Sequence, residues 1–398
     1  MTRDEIYQEC VQQIAKTNCL LLQAATGVGK TKISLDLINH LCRTKYKGKK
    51  TSLLLLVAKI VHKQTWKDEI QKWGGLEVDE ITMECYESLR KHKREKFTFV
   101  LMDEVHHIQS ETRLDLLESL KFDYLLGLSA TIPRGLKKYF SFQYKAKTVS
   151  CDIVEAIEDE ILPEPEILLL PLTLDNTEYS EELEVNPKAK GSIVYGDYRD
   201  LWRLKKAGVH AILKCTKKQK LMEMNKLILW EKERYMRTRN KALENMWLHH
   251  CGERLEFLSN CKIPIIQEIL NKLQRKRTIT FCKTIEQTEV LGKHCIHSKN
   301  AKSTEVYDKF NQGKINHITA VNILNENANL VNCKYAIFCN LSSSEVIMPQ
   351  RCGRAMRHKS PVLIIPYYSG TREEEIVDKV FKDYDEKYIH VINSIKEI

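Results

Sequence analysis

Long apolar runs are what this sequence most conspicuously lacks. The longest, Leu53–Ala58, falls far short of the roughly 20 residues that cross a bilayer, so no membrane helix is expected. The opening Met1-Thr2-Arg3-Asp4-Glu5 carries charges of both signs with no apolar segment behind it, which predicts a chain without a secretory signal, working in the cytoplasm. Thirteen cysteines are present, yet none forms a C-x-x-C pair; an odd count inside a cell argues for reduced thiols rather than disulfides. His249, His250, Cys251 and Cys261 come nearest to a zinc cluster, but their spacing fits no familiar finger. Repeats and low-complexity tracts are also missing, and Pro and Gly number only 9 and 15.

What is there is ordinary globular material: 43% hydrophobic and 29% charged residues over 398 positions, enough for two or three domains. Charge is uneven. The net value is +10, and between Tyr198 and Met246 fourteen Lys and Arg face five acids, so most of the excess sits in one segment. A polyanionic partner would suit such a patch.

Short apolar runs alternate with helical patterns over the first 150 residues, where Leu20–Gln23, Leu53–Ala58, Ile81–Cys85, Phe97–Met102 and Tyr124–Ser129 read as strands. Alternation of this kind predicts a parallel sheet wrapped by helices. It returns with Thr278–Cys282, His317–Val321, Tyr335–Cys339 and Val362–Pro366, a second α/β domain. Between them Pro163, Pro165 and Pro171 mark a linker around the apolar run Ile167–Leu170, followed by a basic segment from Asp197 to Asn260 that reads as a helix pair. The division expected is 1–150, a linker and helical insertion over 151–260, and 261–398.

Strand Leu20–Gln23 runs into Ala24-Ala25-Thr26-Gly27-Val28-Gly29-Lys30-Thr31 and then an apolar-periodic helix. A strand, a glycine-bearing loop and a helix start make a phosphate cradle. Gly27 and Gly29 let backbone N–H groups close on phosphates, Lys30 reaches the β- and γ-phosphates, and Thr31 offers a hydroxyl to Mg²⁺. Strand Phe97–Met102 ends in Asp103-Glu104-Val105-His106, placing two carboxylates at a sheet edge where α/β proteins bind ligands. Asp103 is suited to hold Mg²⁺ through water and Glu104 to polarise the attacking water.

In order and spacing these segments resemble the superfamily 2 helicases, the DNA-directed branch with a D-E-x-H box in particular, built from two tandem RecA-like P-loop domains. Ala24–Thr31 looks like motif I, Leu53–Lys59 like Ia, Asp103–His106 like II, Ser129-Ala130-Thr131 like III, Asn322–Leu330 like V and Gln350–Arg357 like VI. The resemblance implies an ATP-dependent motor on nucleic acid, DNA favoured over RNA, similar to phage-encoded recombination helicases. It implies arginine fingers at Arg354 and Arg357, with Gln350 in the same network. Gln8 takes the place of an adenine-reading glutamine, Asn329 that of an ATP-side contact, and Ser129 and Thr131 that of a link to the nucleic-acid groove. Motif V departs from the usual pattern, with Asn327 where glycine is customary. Two alternatives stay open: an RNA helicase, and an ATP-gated nucleic-acid clamp that does not step.

Within the insertion, Trp202, Trp230, Tyr235 and Trp247 lie among the cations. Rings beside cations suit stacking on bases and neutralising phosphates, with Arg234, Arg237, Arg239 and Lys241 as the contacts. The same rings at helical spacing also fit the seam of a helix pair.

Overall fold

The computed structural model describes residues 1–321, 330–342, 348, 351–353, 356 and 358–398. Every strand predicted from the apolar runs is present, and the two large sheets are parallel throughout. The first contains β1 (Cys19–Ala24), β2 (Ser52–Val57), β3 (Glu80–Cys85), β4 (Lys96–Asp103), β5 (Lys121–Ser129) and β6 (Lys147–Cys151), in the order β3-β2-β4-β5-β1-β6. Its central strands are apolar on both faces because helices cover both sides: Leu53 to Val57 and Phe99 to Met102 are all buried. A parallel sheet puts all strand C-termini on one edge, so the loops after β1, β4 and β5 converge there.

The run Ile167–Leu170 corrects the sequence reading. It is not linker but the heart of β7 (Glu166–Leu172), which pairs with β15 (Val362–Tyr368) on one side and β16 (Ile389–Val391) on the other. Four consecutive buried residues demand neighbours on both sides, and the second sheet supplies them. The insertion is therefore looped out of the second domain, whose sheet begins before it. That sheet runs β12-β13-β11-β14-β15-β7-β16, with β11 (Thr278–Phe281), β12 (Cys295–Ile296), β13 (His317–Ala320) and β14 (Tyr335–Phe338).

The insertion is likewise not helix alone. β8 (Glu181–Val185), β9 (Val194–Asp197) and β10 (Ala211–Cys215) form a small sheet in the order β8-β10-β9. Ala211, Leu213 and Cys215 are buried and alternate with less buried Ile212 and exposed Lys214, a period of two that the surrounding lysines conceal. The expected helix pair begins only at Lys217. Its helices Lys217–Thr238 and Lys241–Cys261 are started by the Thr216 capping box with Gln219 and by the Asn240 cap, and joined through left-handed Arg239 (φ 53°). Their buried residues are Leu221, Glu223, Ile228 and Glu231 on one helix and Phe257, Leu258 and Ser259 on the other, none of them in the last turns at the tip. The far half is an arm with exposed Met236, Met246 and Leu248. At its base Lys262 and Glu373, both fully buried, form an ion pair of 2.6 Å; Lys262 also donates to the Pro366 carbonyl. No helix among the described residues is long and apolar enough to cross a membrane.

Candidate nucleotide-hydrolysis site

The loop after β1 is shaped by two left-handed glycines, Gly27 (φ 105°) and Gly29 (φ 109°), a conformation that costs a side-chain-bearing residue dearly. Gly29 caps the helix Lys30–Lys45 without a side-chain bond, so the helix start presents its N–H groups and the positive end of its dipole. The loop is pinned beneath: Ala25 N–H donates to the Cys151 carbonyl (2.9 Å) and Val28 is fully buried. Lys30 folds back to donate to the Ala24 carbonyl at 2.8 Å. Arg3, which the sequence reading missed, donates through Nε to the Val28 carbonyl (3.0 Å) and through Nη2 to those of Gly27 (3.4 Å) and Ile161 (3.2 Å). It fastens the first helix to the loop. Beside them lies a cavity of about 630 Å³ whose walls include Arg3, Tyr7, Gln8, Gly29, Ile33 and Trp73. Gln8 thus reaches the flank of the loop; Ala25 and Thr26 are buried in it, and Thr31 stands in the first helical turn.

Across the same sheet edge, Asp103 and Glu104 leave β4 buried. The indole N–H of Trp66 donates to Asp103 Oδ2 at 2.8 Å and the Tyr86 hydroxyl to the Asp103 carbonyl at 2.8 Å. Glu104 sits in the left-handed region (φ 49°), a conformation uncommon for a carboxylate-bearing residue and concentrated at functional sites. Ser129, at the end of β5, joins these groups: its hydroxyl lies 3.1 Å from Glu104 Oε2, 3.1 Å from His106 Nδ1 and 2.9 Å from the Thr131 carbonyl. Ile132 N–H donates to Gln23 Oε1 at the end of β1. The ends of β1, β4 and β5 are thus one hydrogen-bonded edge.

The second domain meets this edge through Gly353. A Cβ there would come within 2.8 Å of Thr26 Cβ, so the Gly353 backbone packs against the loop after β1, and only glycine fits. Arg351 points the other way. It is buried, donates to the Asn340 carbonyl at 2.9 Å and lies over the Phe281 ring; burial pushes its guanidinium down to about 10. Gln350, Arg354, Arg357, Asn329 and most of Asn322–Leu330 lie outside the described residues.

Arg234, Arg237, Arg239 and Lys241 are exposed at or near the tip of the hairpin, away from the sheet edge. Arg234 stacks over Trp230 (4.5 Å) and Arg239 over Tyr235 (5.6 Å), while Tyr235 stacks on Trp247 (5.7 Å). The seam reading therefore holds for Tyr235 and Trp247, and Trp230 stays half exposed at 51%. Lys241 is bonded to Glu244, which raises the ammonium and lowers the carboxyl from their usual ranges. Among the described residues no cluster of three or more His, Cys, Asp or Glu could hold a metal; His250 is bonded to Glu231 at 2.7 Å.

Known proteins resemble both α/β domains. Residues 3–134 match the family of the type III restriction enzyme res subunit, and residues 261–359 match the helicase conserved C-terminal domain. The DNA 3'-5' translocase XPB2 of Sulfurisphaera tokodaii is 23% identical over 396 residues, covering 94% of this chain and 81% of that protein. The probable helicase D10 of Escherichia phage T5 is 30% identical over 159 residues, 35% of this chain and 32% of that one. Among solved structures, the Pyrococcus furiosus Hef helicase domain matches with a TM-score of 0.51 at 14% identity, covering 95% of this chain and 97% of that one. S. cerevisiae Dbp5, bound to RNA and ADP BeF3, matches at 0.58 and 12%, covering 98% and 89%. With two tandem RecA-like domains, a phosphate loop on the first and both family models in register with them, the chain belongs to the superfamily 2 helicases, a class of nucleic-acid-dependent ATPases.

Proposed function

We propose that the chain hydrolyses ATP in the cleft between its two RecA-like domains and uses the cycle to move along or remodel DNA. The observation that supports this reading is the contact of Gly353 with Thr26, because Gly353 directly precedes Arg354 in the chain. The Ala25–Gly29 backbone and Lys30 bind the phosphates. The Thr31 hydroxyl and Asp103 carboxylate are hard oxygen donors of the kind Mg²⁺ takes, and that ion when bound neutralises charge on the phosphates. Trp66 orients the Asp103 carboxylate for the task. Glu104 orients the attacking water and takes its proton, with ADP and inorganic phosphate as products. Arg354 and Arg357, with Gln350 beside them, stabilise charge on the transferring group from the second domain. Gln8 faces the base of the nucleotide from the adjoining cavity, and Asn329 adds a contact on the ATP side.

Ser129 joins the two tasks. Its hydroxyl touches Glu104 and the Thr131 carbonyl, so a shift of Thr131 on a bound strand is felt at the carboxylate. DNA rather than RNA is favoured by the translocase whose likeness spans 94% of this chain. ATP turnover measured with single-stranded DNA, duplex DNA, forked DNA and RNA, alongside strand displacement, tests the reading. Stimulation by DNA with displacement is expected. RNA as the strongest activator would reassign the polymer, and stimulation without any movement would make the chain an ATP-gated clamp.

A further inference from the structure

The edge of the first sheet opposite the nucleotide is built from the loops that precede each strand. Those loops are unusually basic along one stretch. Lys47, Lys49 and Lys50 precede β2; Lys93 and Arg94 precede β4, which starts with Lys96. Lys121 starts β5, Lys16 closes the helix before β1, and Lys145 and Lys147 flank the start of β6. All are exposed. Because β2, β4, β5, β1 and β6 are consecutive neighbours, strand spacing makes this a rim about 19 Å long. The eight residues of β4 separate it from Asp103 by roughly 23 Å.

Two bland explanations do not cover it. Lysines at helix C-termini offset the dipole, which accounts for Lys16 and Lys45 but not for Lys47, Lys49, Lys50, Lys93, Arg94 or Lys121. Local acids offset the rim only in part: hydrogen-bonded carboxylates keep their charge, and Asp79 and Asp123 lie near Lys50 and Lys96, yet the rim's cations outnumber them. Asp79 accepts from the Thr51 N–H and hydroxyl, which hold its carboxyl below the usual range; Asp123 accepts from the Tyr46 hydroxyl; Glu95 is bonded to His92 and Glu118 to Tyr139. Lys96 sits 3.7 Å from Asp123. Lys47, Lys49, Lys50, Lys93, Arg94 and Lys121 form no ion pair among the described residues. Arg94 stands at a left-handed turn (φ 70°), closed by Glu95 N–H to the His92 carbonyl at 2.9 Å, so its position is fixed by the backbone.

We infer that this rear rim is a second polyanion site that takes a nucleic-acid duplex by its phosphates, separate from the interdomain cleft. The inference rests on the proposed function for its choice of polymer. Double-stranded DNA carries one charge per about 1.7 Å of axis, so a duplex laid along a rim of about 19 Å carries on the order of eleven phosphates there, of which the near-side ones face the lysines. A duplex fits better than a single strand along the loops before β2, β4 and β5, which expose no ring for bases to stack on: Tyr46 is packed against Phe99 and Tyr124, His92 against Phe97, and Phe122 against Tyr144, whereas the exposed ring of Phe142 stands at the β6 end of the rim. Such contacts read charge, not sequence, and would hold duplex beside the motor while the cleft works on its strand.

The test is the binding of a blunt DNA duplex without nucleotide across a range of KCl concentrations. It compares the unsubstituted chain with Lys47→Gln/Lys49→Gln/Lys50→Gln and with the same variant also carrying Lys93→Gln/Arg94→Gln. Each lost phosphate contact removes about 0.9 from the slope of log affinity against log salt. The slope should therefore flatten by roughly two units in the triple variant and three or more in the quintuple, with far-UV circular dichroism and basal ATP turnover unchanged. Slopes equal to that of the unsubstituted chain in both folded variants overturn the inference. So does loss of binding to polyglutamate with the duplex slope intact, which would make the rim a surface for acidic protein. Failure of the proposed function reads differently: the unsubstituted chain would show no nucleic-acid stimulation of ATP turnover, whatever its duplex slope.

Discussion

The phosphate loop and the tip of the helical hairpin both offer cations to anions, and the fold treats them in opposite ways. Lys30 is half-buried and held on the Ala24 carbonyl, within a loop tied to β6 by Ala25 and to the first helix by Arg3. Arg234 and Arg239 are exposed and lean on rings of the first hairpin helix, Arg239 also donating to Met236 Sδ, and Lys241 leans on Glu244. Preorganised charge is what a chemical step needs, because the donors do not reorganise as the reaction proceeds. Long exposed cations suit a polymer whose phosphates pass by, where contact is made and lost without fixed geometry. On the proposed function, one region reacts and the other touches.

The sharpest way to break that comparison is Lys30→Ala, which should abolish ATP hydrolysis and weaken ATP binding. Turnover like that of the unsubstituted chain would end the motor reading. Glu104→Gln should stop hydrolysis while ATP still binds, because the amide keeps the shape but cannot take a proton; weaker ATP binding with an unchanged rate per bound ATP would give Glu104 another role. Arg354→Ala should leave nucleotide binding nearly intact and cut stimulated turnover on the order of a thousandfold or more. Near-normal stimulated turnover would shift the finger to Arg357, since Arg351 is turned into the core.

At the base of the hairpin, Lys262→Ala strands the buried Glu373 carboxylate and should cost about 3–5 kcal/mol in denaturant unfolding. The joint change Lys262→Met/Glu373→Leu should recover most of that loss, as no charge is then left unpaired; a double variant no more stable than Lys262→Ala would mean the pair matters for more than charge compensation. The smallest effect is expected at the tip. Gln at Arg234, Arg237, Arg239 and Lys241 together should flatten the salt dependence of single-strand affinity by roughly two to three units, with basal ATP turnover unchanged. An unflattened slope would make the arm a spacer or a surface for protein.

Much of the catalytic edge is legible in the sequence because its chemistry is local. A strand, Gly27, Gly29 and Lys30 must be contiguous to wrap a phosphate, and Asp103-Glu104 must follow a strand to reach the same edge. What escaped is non-local. Trp66 is 37 residues from Asp103 and Arg3 25 from Val28, and no spacing rule links such pairs. The arm was legible as two helices from its Lys, Leu and Glu content, whereas β10 was hidden by Lys214 on its exposed face and by the lysines around it.

The sequence by itself determined the parallel α/β domains, the phosphate loop, the carboxylate pair and the existence of a basic arm, because periodicity and turn chemistry act over a few residues. Only the tertiary structure decided that β7 belongs to the second sheet, that Ser129 bridges Glu104, His106 and Thr131, and that Gly353 rests on Thr26. Those depend on which distant strands become neighbours and on how closely two backbones can approach, and packing settles both only when the whole chain is in place.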